Sequence, residues 1–243
     1  MSHPLHKLVY AGFLAMTLRL AAAWAQEPNR SLMAFEKGEV ISLGVYSNGI
    51  RAGSGRLLYK GPVEIGGVVF QRVEFSVTSF SVKDREIVLG TQDFALPARV
   101  DRDVRVFGRA EAIVEHYTRN GRRVLIEKKV KGHEPQKTII DSQRSFGNVL
   151  LLIYRLRMTP GLAVGKTYDI NLPTTSFKLI VREKRKIRVP LGQFDAFYLE
   201  SVPKKYRIWL SADPRRLPLR IQGLAGGGIA YLVALDVQPF LSE

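Results

Sequence analysis

The chain has 243 residues, of which 46% are hydrophobic and 24% charged, and a formal net charge of +15. This is enough apolar material for one large or two small domains with a buried core, and too much for a disordered chain. There is no cysteine, which excludes disulfides, thiolate metal sites, a cysteine nucleophile and lipidation of a cysteine.

Residues 1–25 differ from the rest. Lys7 gives a small positive start, residues 8–18 are mostly apolar, and Ala23-Trp24-Ala25 is an A-x-A cleavage signal. The pattern is that of a secretory signal peptide, with Gln26 as the first mature residue and the periplasm as the expected location. A retained membrane anchor is the competing reading. Arg19 cuts the apolar stretch too short for it, and no later stretch has the roughly 18 apolar residues that a spanning helix needs. Cleavage would remove two of the 37 basic residues, Lys7 and Arg19, and none of the 22 acidic ones, leaving a net charge of +13. Such an excess outside the cytoplasm points to anionic lipid or an acidic envelope polymer as partner, not to nucleic acid. The alternative is that the charge only keeps the protein soluble.

Residues 26–38 are polar and read as a flexible N-terminal segment. Strand patterns begin at 39–46. Ser47-Asn48-Gly49 is a hairpin turn, because Asn-Gly accepts positive φ, and residues 51–59 return. Gly61-Pro62 and Gly66-Gly67 read as further turns. Residues 68–77 alternate as a strand, and 87–89 and 94–100 are shorter pieces around Gly90. The stretch 104–117 is ambiguous. On a helix Glu111 and Glu115 would repel each other at i, i+4. The β reading puts Val104, Val106, Ala110, Ala112 and Val114 on one face, before Asn120-Gly121 turns into a strand at 124–130.

One helix is expected. Val149, Leu152, Ile153 and Leu156 fall on one face, Ser145 or Ser142 would cap it, and Pro160-Gly161 stops it. Arg155 and Arg157 suit a helix docked on a sheet at an open barrel end. Strands resume at 167–172 and 176–189. The best-specified stretch, 187–223, reads as four short strands, with Asp213-Pro214 in the tight turn between the strand of Trp209 and that of Leu219. Gly226-Gly227-Gly228 leads into a last strand at 229–237, and 238–243 is a tail. About a dozen short strands, mostly joined by hairpins, predict an all-β fold over residues 39–237. Its curved, mainly antiparallel sheet would form a barrel, half-barrel or sandwich with one short helix. There is no βαβ alternation and hence no dinucleotide-binding fold.

These residues resemble the domain of unknown function 3108 family of bacterial envelope proteins. Tyr46-Ser47-Asn48-Gly49-Ile50-Arg51-Ala52-Gly53 is similar to its opening. Tyr154-Arg155-Leu156-Arg157, followed by residues 162–166, is similar to its helix and exit. Pro190-Leu191-Gly192-Gln193-Phe194 and the run from Trp209 through Asp213-Pro214 to Pro218 look like its hairpin signature. The resemblance covers roughly residues 39–237 and implies a secreted, mostly antiparallel β protein. It implies no catalytic residues.

Motifs with chemistry are few. Residues 161–167, GLAVGKT, imitate a phosphate-binding loop but have three residues between the glycines where four are needed, and a strand-like segment follows instead of a helix. After cleavage only His116 and His133 remain, without the ligand spacing of a zinc site. Glu115-His116 reads as a surface pair. Ser54 lies between glycines but lacks the outer glycines of a nucleophile elbow. In Asp101-Arg102-Asp103 the carboxylates share one strand face and Arg102 takes the other, most simply as solvated charges. No cofactor, metal ligand or catalytic residue is assigned.

The basic strand is the one candidate site. Alternation from residue 178 puts Lys178, Arg182, Lys184, Lys186 and Arg188 on one face as an anion-contacting strip; the bland reading is a solvated face that discourages edge pairing. The functional expectation is a periplasmic, non-enzymatic protein that binds or scaffolds a cell-envelope component, a lipid or an anionic glycan or lipid head group. One alternative is an enzyme processing an envelope polymer, which a deep cleft holding two carboxylates would favour. The other is a structural partner of an envelope complex, which a large exposed apolar patch would favour.

Overall fold

The structure is a computed structural model that describes residues 34–225 and 228–238. The signal-peptide reading of residues 1–25 lies outside these residues, as do residues 226–227 of the glycine turn and residues 239–243 of the tail.

The described elements are β1 (Val40–Ser47), β2 (Ile50–Ile65), β3 (Val68–Ser79), β4 (Val82–Gly90), β5 (Pro97–Val106), β6 (Arg109–Thr118), β7 (Arg123–Val130), β8 (Gln136–Asp141) and α1 (Val149–Met158). They continue with β9 (Thr167–Leu172), β10 (Thr175–Val189), β11 (Gly192–Val202), β12 (Tyr206–Ser211), β13 (Pro218–Ala225) and β14 (Gly228–Gln238). The fold is all-β and antiparallel, a single curled sheet of 14 strands in the order β8-β7-β6-β5-β4-β3-β2-β1-β14-β13-β12-β11-β10-β9. β1 lies in the middle of this sheet, and from it strands are laid outward to β8. Through α1 the chain reaches the other edge, and it returns inward until β14 pairs with β1.

Turn chemistry explains the meander. Asn48-Gly49, Gly66-Gly67 and Phe107-Gly108 are two-residue turns in which both residues have positive φ, as a hairpin that follows the twist of its strands requires. Asp213 organises the β12–β13 connection: its Oδ1 accepts from the Arg215 and Arg216 amides at 2.9 and 3.2 Å and from the Ser211 hydroxyl at 3.0 Å. The expected Asp213-Pro214 turn is therefore present.

Several expectations are corrected. Gly61-Pro62 does not end β2. A bulge with Lys60 as its extra residue precedes Gly61, whose φ is 93°, and the pairing runs on to Ile65↔Val68. Residues 104–117 are two strands, not one, because Phe107-Gly108 turns between them. Val104 opposes Glu111, so Ala110, Ala112 and Val114 lie on the face opposite Val104 and Val106. Phe94 sits in a loop with φ of 55°, outside any strand. β8 had no counterpart in the sequence reading. Residues 34–38, placed by composition in a flexible segment, join the core: Phe35 packs edge-on against Tyr59, Phe94 and Tyr154 at 4.8–5.6 Å.

The helix is capped by Asn148, not by Ser142 or Ser145. The Asn148 Oδ1 accepts from the Leu150 and Leu151 amides at 2.8 and 3.2 Å. It is also buried on nearly every side, with Arg155 pointing to solvent, rather than lying on one apolar face. Leu150, Leu151, Ile153 and Tyr154 pack in one core cluster, Leu152 and Leu156 in a second with Leu179, Leu199 and Leu210. The curled sheet thus wraps the helix, and Gly90 lets them touch: a Cβ there would lie 2.6 Å from Leu151 Cδ1.

β8 and β9, the two edges, do not pair. Residues 142–147 fill the seam. The Gly147 amide donates to Asn171 O at 2.7 Å, and Asn171 Nδ2 donates to Ser142 Oγ at 3.2 Å and Arg144 O at 3.1 Å. On the face away from the helix, Arg220 is stacked between Trp209 and Tyr231, and Tyr231 on Tyr46. This ladder crosses the β14–β1 junction and stiffens it.

Candidate functional site: a cleft between helix and sheet

A cleft of about 370 Å³ lies between the first half of α1 and the inner face of the sheet. Its apolar lining comes from both halves of the sheet and from the helix: Leu43 and Leu57, Ile221 and Leu232, Leu150 and Ile153. One wall, built by β4, β5 and β6, is polar. Period-two alternation explains which residues stand there. Glu86 opposes Arg102, Arg102 opposes Ile113, and Asp84, Val100, Glu115 and Tyr117 follow at steps of two along their strands.

Arg102 anchors the wall. Its guanidinium forms a bidentate pair with Asp84, Nε to Oδ1 at 2.9 Å and Nη2 to Oδ2 at 2.6 Å, and Glu86 lies 4.0 Å from its Nε. Asn148 adds its side-chain amide, donating from Nδ2 to Glu86 Oε1 at 3.0 Å, so the residue that caps the helix also orients a cleft carboxyl. The Tyr117 hydroxyl donates to Glu115 Oε2. Burial pushes the Glu86 carboxyl above its ordinary range, against the pull of Asn148 and Arg102. Burial raises Glu115 in the same way, against the Tyr117 hydrogen bond. Tyr117 itself is pushed far up, by burial and by the adjacent Glu115. The Asp84 hydrogen bonds raise Arg102 further. Three carboxyls share one guanidinium, and the two that are not bidentate to it hold protons more tightly than free carboxylates. Such a wall offers hydrogen bonds to a polar group and repels an anion.

Sequence reasoning passed over this site. Arg102 was correctly placed on the face opposite Asp101 and Asp103, but nothing local says that this face is the interior. The Glu115-His116 pair read as surface, whereas Glu115 is in the cleft and His116 on the opposite face. The missing signal was the two-residue turn at Phe107-Gly108, which fixes the register that brings Arg102 beside Ile113.

The five residues of the basic strip are all exposed. They do not share a face. Val181 opposes Leu199 and Glu183 opposes Tyr198, so Arg182 is the extra residue of a bulge and the alternation shifts by one there. Lys178 therefore lies opposite Lys184, Lys186 and Arg188, which do share a face. Three of the five have nearby acids: Lys178 with Asp169 at 3.5 Å, Arg182 with Glu200 at 3.9 Å and Lys186 with Asp195 at 3.2 Å. The phosphate-loop imitation ends as expected, with Thr167 opening a strand.

The largest buried charge is structural. Arg157, with no exposed side-chain surface, donates to both oxygens of Glu39 at 2.6 and 3.0 Å, to Ala34 O and to Arg215 O. All of these partners are protein atoms, and the guanidinium is further stacked over Phe35 at 4.7 Å. Among the described residues no helix is long and apolar enough to cross a membrane.

No curated protein matches this sequence. Among solved structures the chain is similar to a β-barrel-like protein of the domain of unknown function DUF1849 from Brucella abortus, at 8% identity and a TM-score of 0.47, over 83% of this chain and 97% of that one. It is similar also to a protein from Bacteroides fragilis provisionally assigned as exported, with a YmcC-like fold, at 9% identity and a TM-score of 0.31, over 84% and 96%. A protein from Parabacteroides distasonis, provisionally assigned as a lipoprotein, matches at 10% identity and a TM-score of 0.30, over 84% and 96%. The model of the protein family of unknown function DUF3108 matches residues 33–232, which include the cleft wall, the helix and the Asp213-Pro214 hairpin, and the chain belongs to that family.

Proposed function

We propose that this chain is an exported cell-envelope protein that holds an amphiphilic small molecule, its apolar part between α1 and the sheet and its polar end on the wall of Glu86, Arg102 and Glu115. The cleft carries this reading: an apolar cavity of about 370 Å³ with a few convergent polar groups at one side is the form that small-molecule sites take. The excess of carboxyls over guanidinium selects a hydrogen-bond donor or a cation, such as a hydroxyl or an amine, as the polar end.

A fluorescent long-chain alkyl alcohol or amine is expected to bind the purified protein with a blue-shifted emission. Ile113→Trp, which fills the cleft from its polar wall, is expected to weaken that binding about tenfold or more, as lost burial of a few methylenes would. Unchanged binding by a folded Ile113→Trp variant would remove the ligand from the cleft.

Two raised carboxyls in one cleft favour a second reading, an enzyme in which Glu86 is a general acid toward an envelope polymer. Turnover of envelope glycans that is lost in Glu86→Gln would establish it. The arrangement supports binding better, because Glu86 and Glu115 stand on the same wall with Arg102 between their strands, instead of facing each other across a substrate.

A further inference from the structure

Three adjacent hairpins, β1–β2, β3–β4 and β5–β6, turn at the same end of the sheet, and each presents a large apolar side chain to solvent. Phe80 is fully exposed, Phe107 is 82% exposed and Ile50 is 74% exposed. In the strand order these turns are two strands apart, so neighbouring tips stand roughly 10 Å apart and the three span about 20 Å.

Folding does not ask for these residues. Phe107 occupies the first position of a two-residue turn with φ of 47°, where Asn, Asp or Gly is favoured and an aromatic side chain is strained. In the β3–β4 connection the Ser79 hydroxyl accepts from the Val82 amide at 3.0 Å, so the turn is held without any contribution from the Phe80 ring. An apolar residue at the tips of all three hairpins that neighbour one another at this end is not the random scatter of single exposed apolar residues on a protein surface.

In sequence the tips are flanked by cations. Within three residues of Ile50, Phe80 and Phe107 the chain has Arg51, Lys83, Arg105 and Arg109 and no carboxylate. Arg109 is paired with Glu111, whose Oε1 lies 3.4 Å from its Nε. Apolar tips flanked by cations suit an anionic bilayer surface: rings enter the acyl boundary while guanidinium and ammonium groups stay among phosphates.

We propose that this hairpin end is a membrane-docking rim, in which Phe80, Phe107 and Ile50 insert into the interface of an anionic bilayer and the four flanking cations contact its head groups. The rim is independent of any ligand in the cleft. It does set the orientation of the molecule, because Asp84 in the cleft wall is two residues from the start of β4, beside the β3–β4 tip. The polar wall would then face the membrane end of the cleft.

The chain has no cysteine, so a single introduced one can be labelled cleanly. Phe80→Cys carrying an environment-sensitive fluorophore is expected to shift to the blue on vesicles containing phosphatidylglycerol. The same label at Val68, on the β2–β3 hairpin at the opposite end, is expected to stay in water. In cosedimentation, Phe80→Ser/Phe107→Ser is expected to bind these vesicles about a hundredfold more weakly with unchanged melting temperature, since each inserted ring contributes about tenfold. High salt is expected to weaken the wild type. No shift at position 80, a shift at position 68 instead, or equal sedimentation of the double variant would overturn the proposal. So would a double variant that changes from dimer to monomer without vesicles, which would make the rim an interface between copies.

Discussion

Glu39 and Arg157 are 118 residues apart and share a bidentate hydrogen-bonded pair with almost no exposed surface. Neither side chain was legible as buried. Arg157 sits on a helix with apolar neighbours, where a solvent-facing reading is reasonable until the sheet is known to wrap the helix. Removing one partner leaves an uncompensated buried charge. Arg157→Met is expected to cost about 3–5 kcal/mol in urea unfolding, with much of that loss recovered in Glu39→Met/Arg157→Met. Equal stability of Arg157→Met and wild type would show that Arg215, 3.4 Å from Glu39, suffices alone. Glu86 gives the opposite sign. Its folded pKa is raised by burial, so the folded state holds the proton more tightly than the unfolded state. Its contribution to stability is therefore present at acid pH and is lost as pH rises through the raised value. Glu86→Gln keeps an acceptor for Asn148 and removes the titration. The variant is expected to melt higher than wild type above neutral pH and to differ less from it near pH 4. A variant that melts lower than wild type at pH 8 would mean that the ionised form is the stabilised one.

At the scale of elements, hairpins were legible and breaks were overread. Asn48-Gly49, Gly66-Gly67 and Asn120-Gly121 act through backbone conformation, which is local, and all three turn where the sequence places them. Gly61-Pro62 is also a turn-favouring pair, yet β2 passes through it, because β3 continues pairing on the far side of a bulge. Bulges also misled the face of the basic strand at Arg182, since one extra residue exchanges the two sides. The seam was invisible, as Asn171 meets Ser142 and Arg144 only after the sheet has curled. Asn171→Ala removes three described donor contacts and an acceptor for Ser176, which is expected to cost about 1–3 kcal/mol. Hydrogen exchange should then quicken in residues 142–147 and β9 but not in β1 or β14. Uniform quickening across all strands would indicate that the seam is not a separate unit. Within β2, Gly53→Ala would set a Cβ 2.2 Å from Thr78 O, so a soluble variant with the wild-type melting temperature would contradict the β2–β3 register.

For the whole molecule, composition pointed to anionic neighbours and patterning to a curved β sheet, and the second of these is what the structure displays. What composition cannot express is the division of labour between the two surfaces. Among the described residues Arg157 is the one buried cation, and the wall of the cleft carries more carboxyls than cations. On the proposals above, a membrane contact would belong to the exterior, and the cleft would suit a molecule whose polar end is not an anion. Lys184→Gln/Lys186→Gln is expected to weaken vesicle binding far less than Phe80→Ser/Phe107→Ser, because the antiparallel order puts Lys184 and Lys186 near the β10–β11 turn, at the end of the sheet opposite the rim. Binding lost equally in both pairs would contradict an orientation in which the rim alone meets the bilayer. The central claim, that the cleft holds an amphiphile, is tested most directly by native mass spectrometry of the protein purified from the envelope without added lipid. A discrete excess mass that organic solvent releases, and that Ile113→Trp lacks, is the expected result. A bare polypeptide mass in wild type and variant alike, together with no uptake of long-chain alcohols or amines, would contradict it.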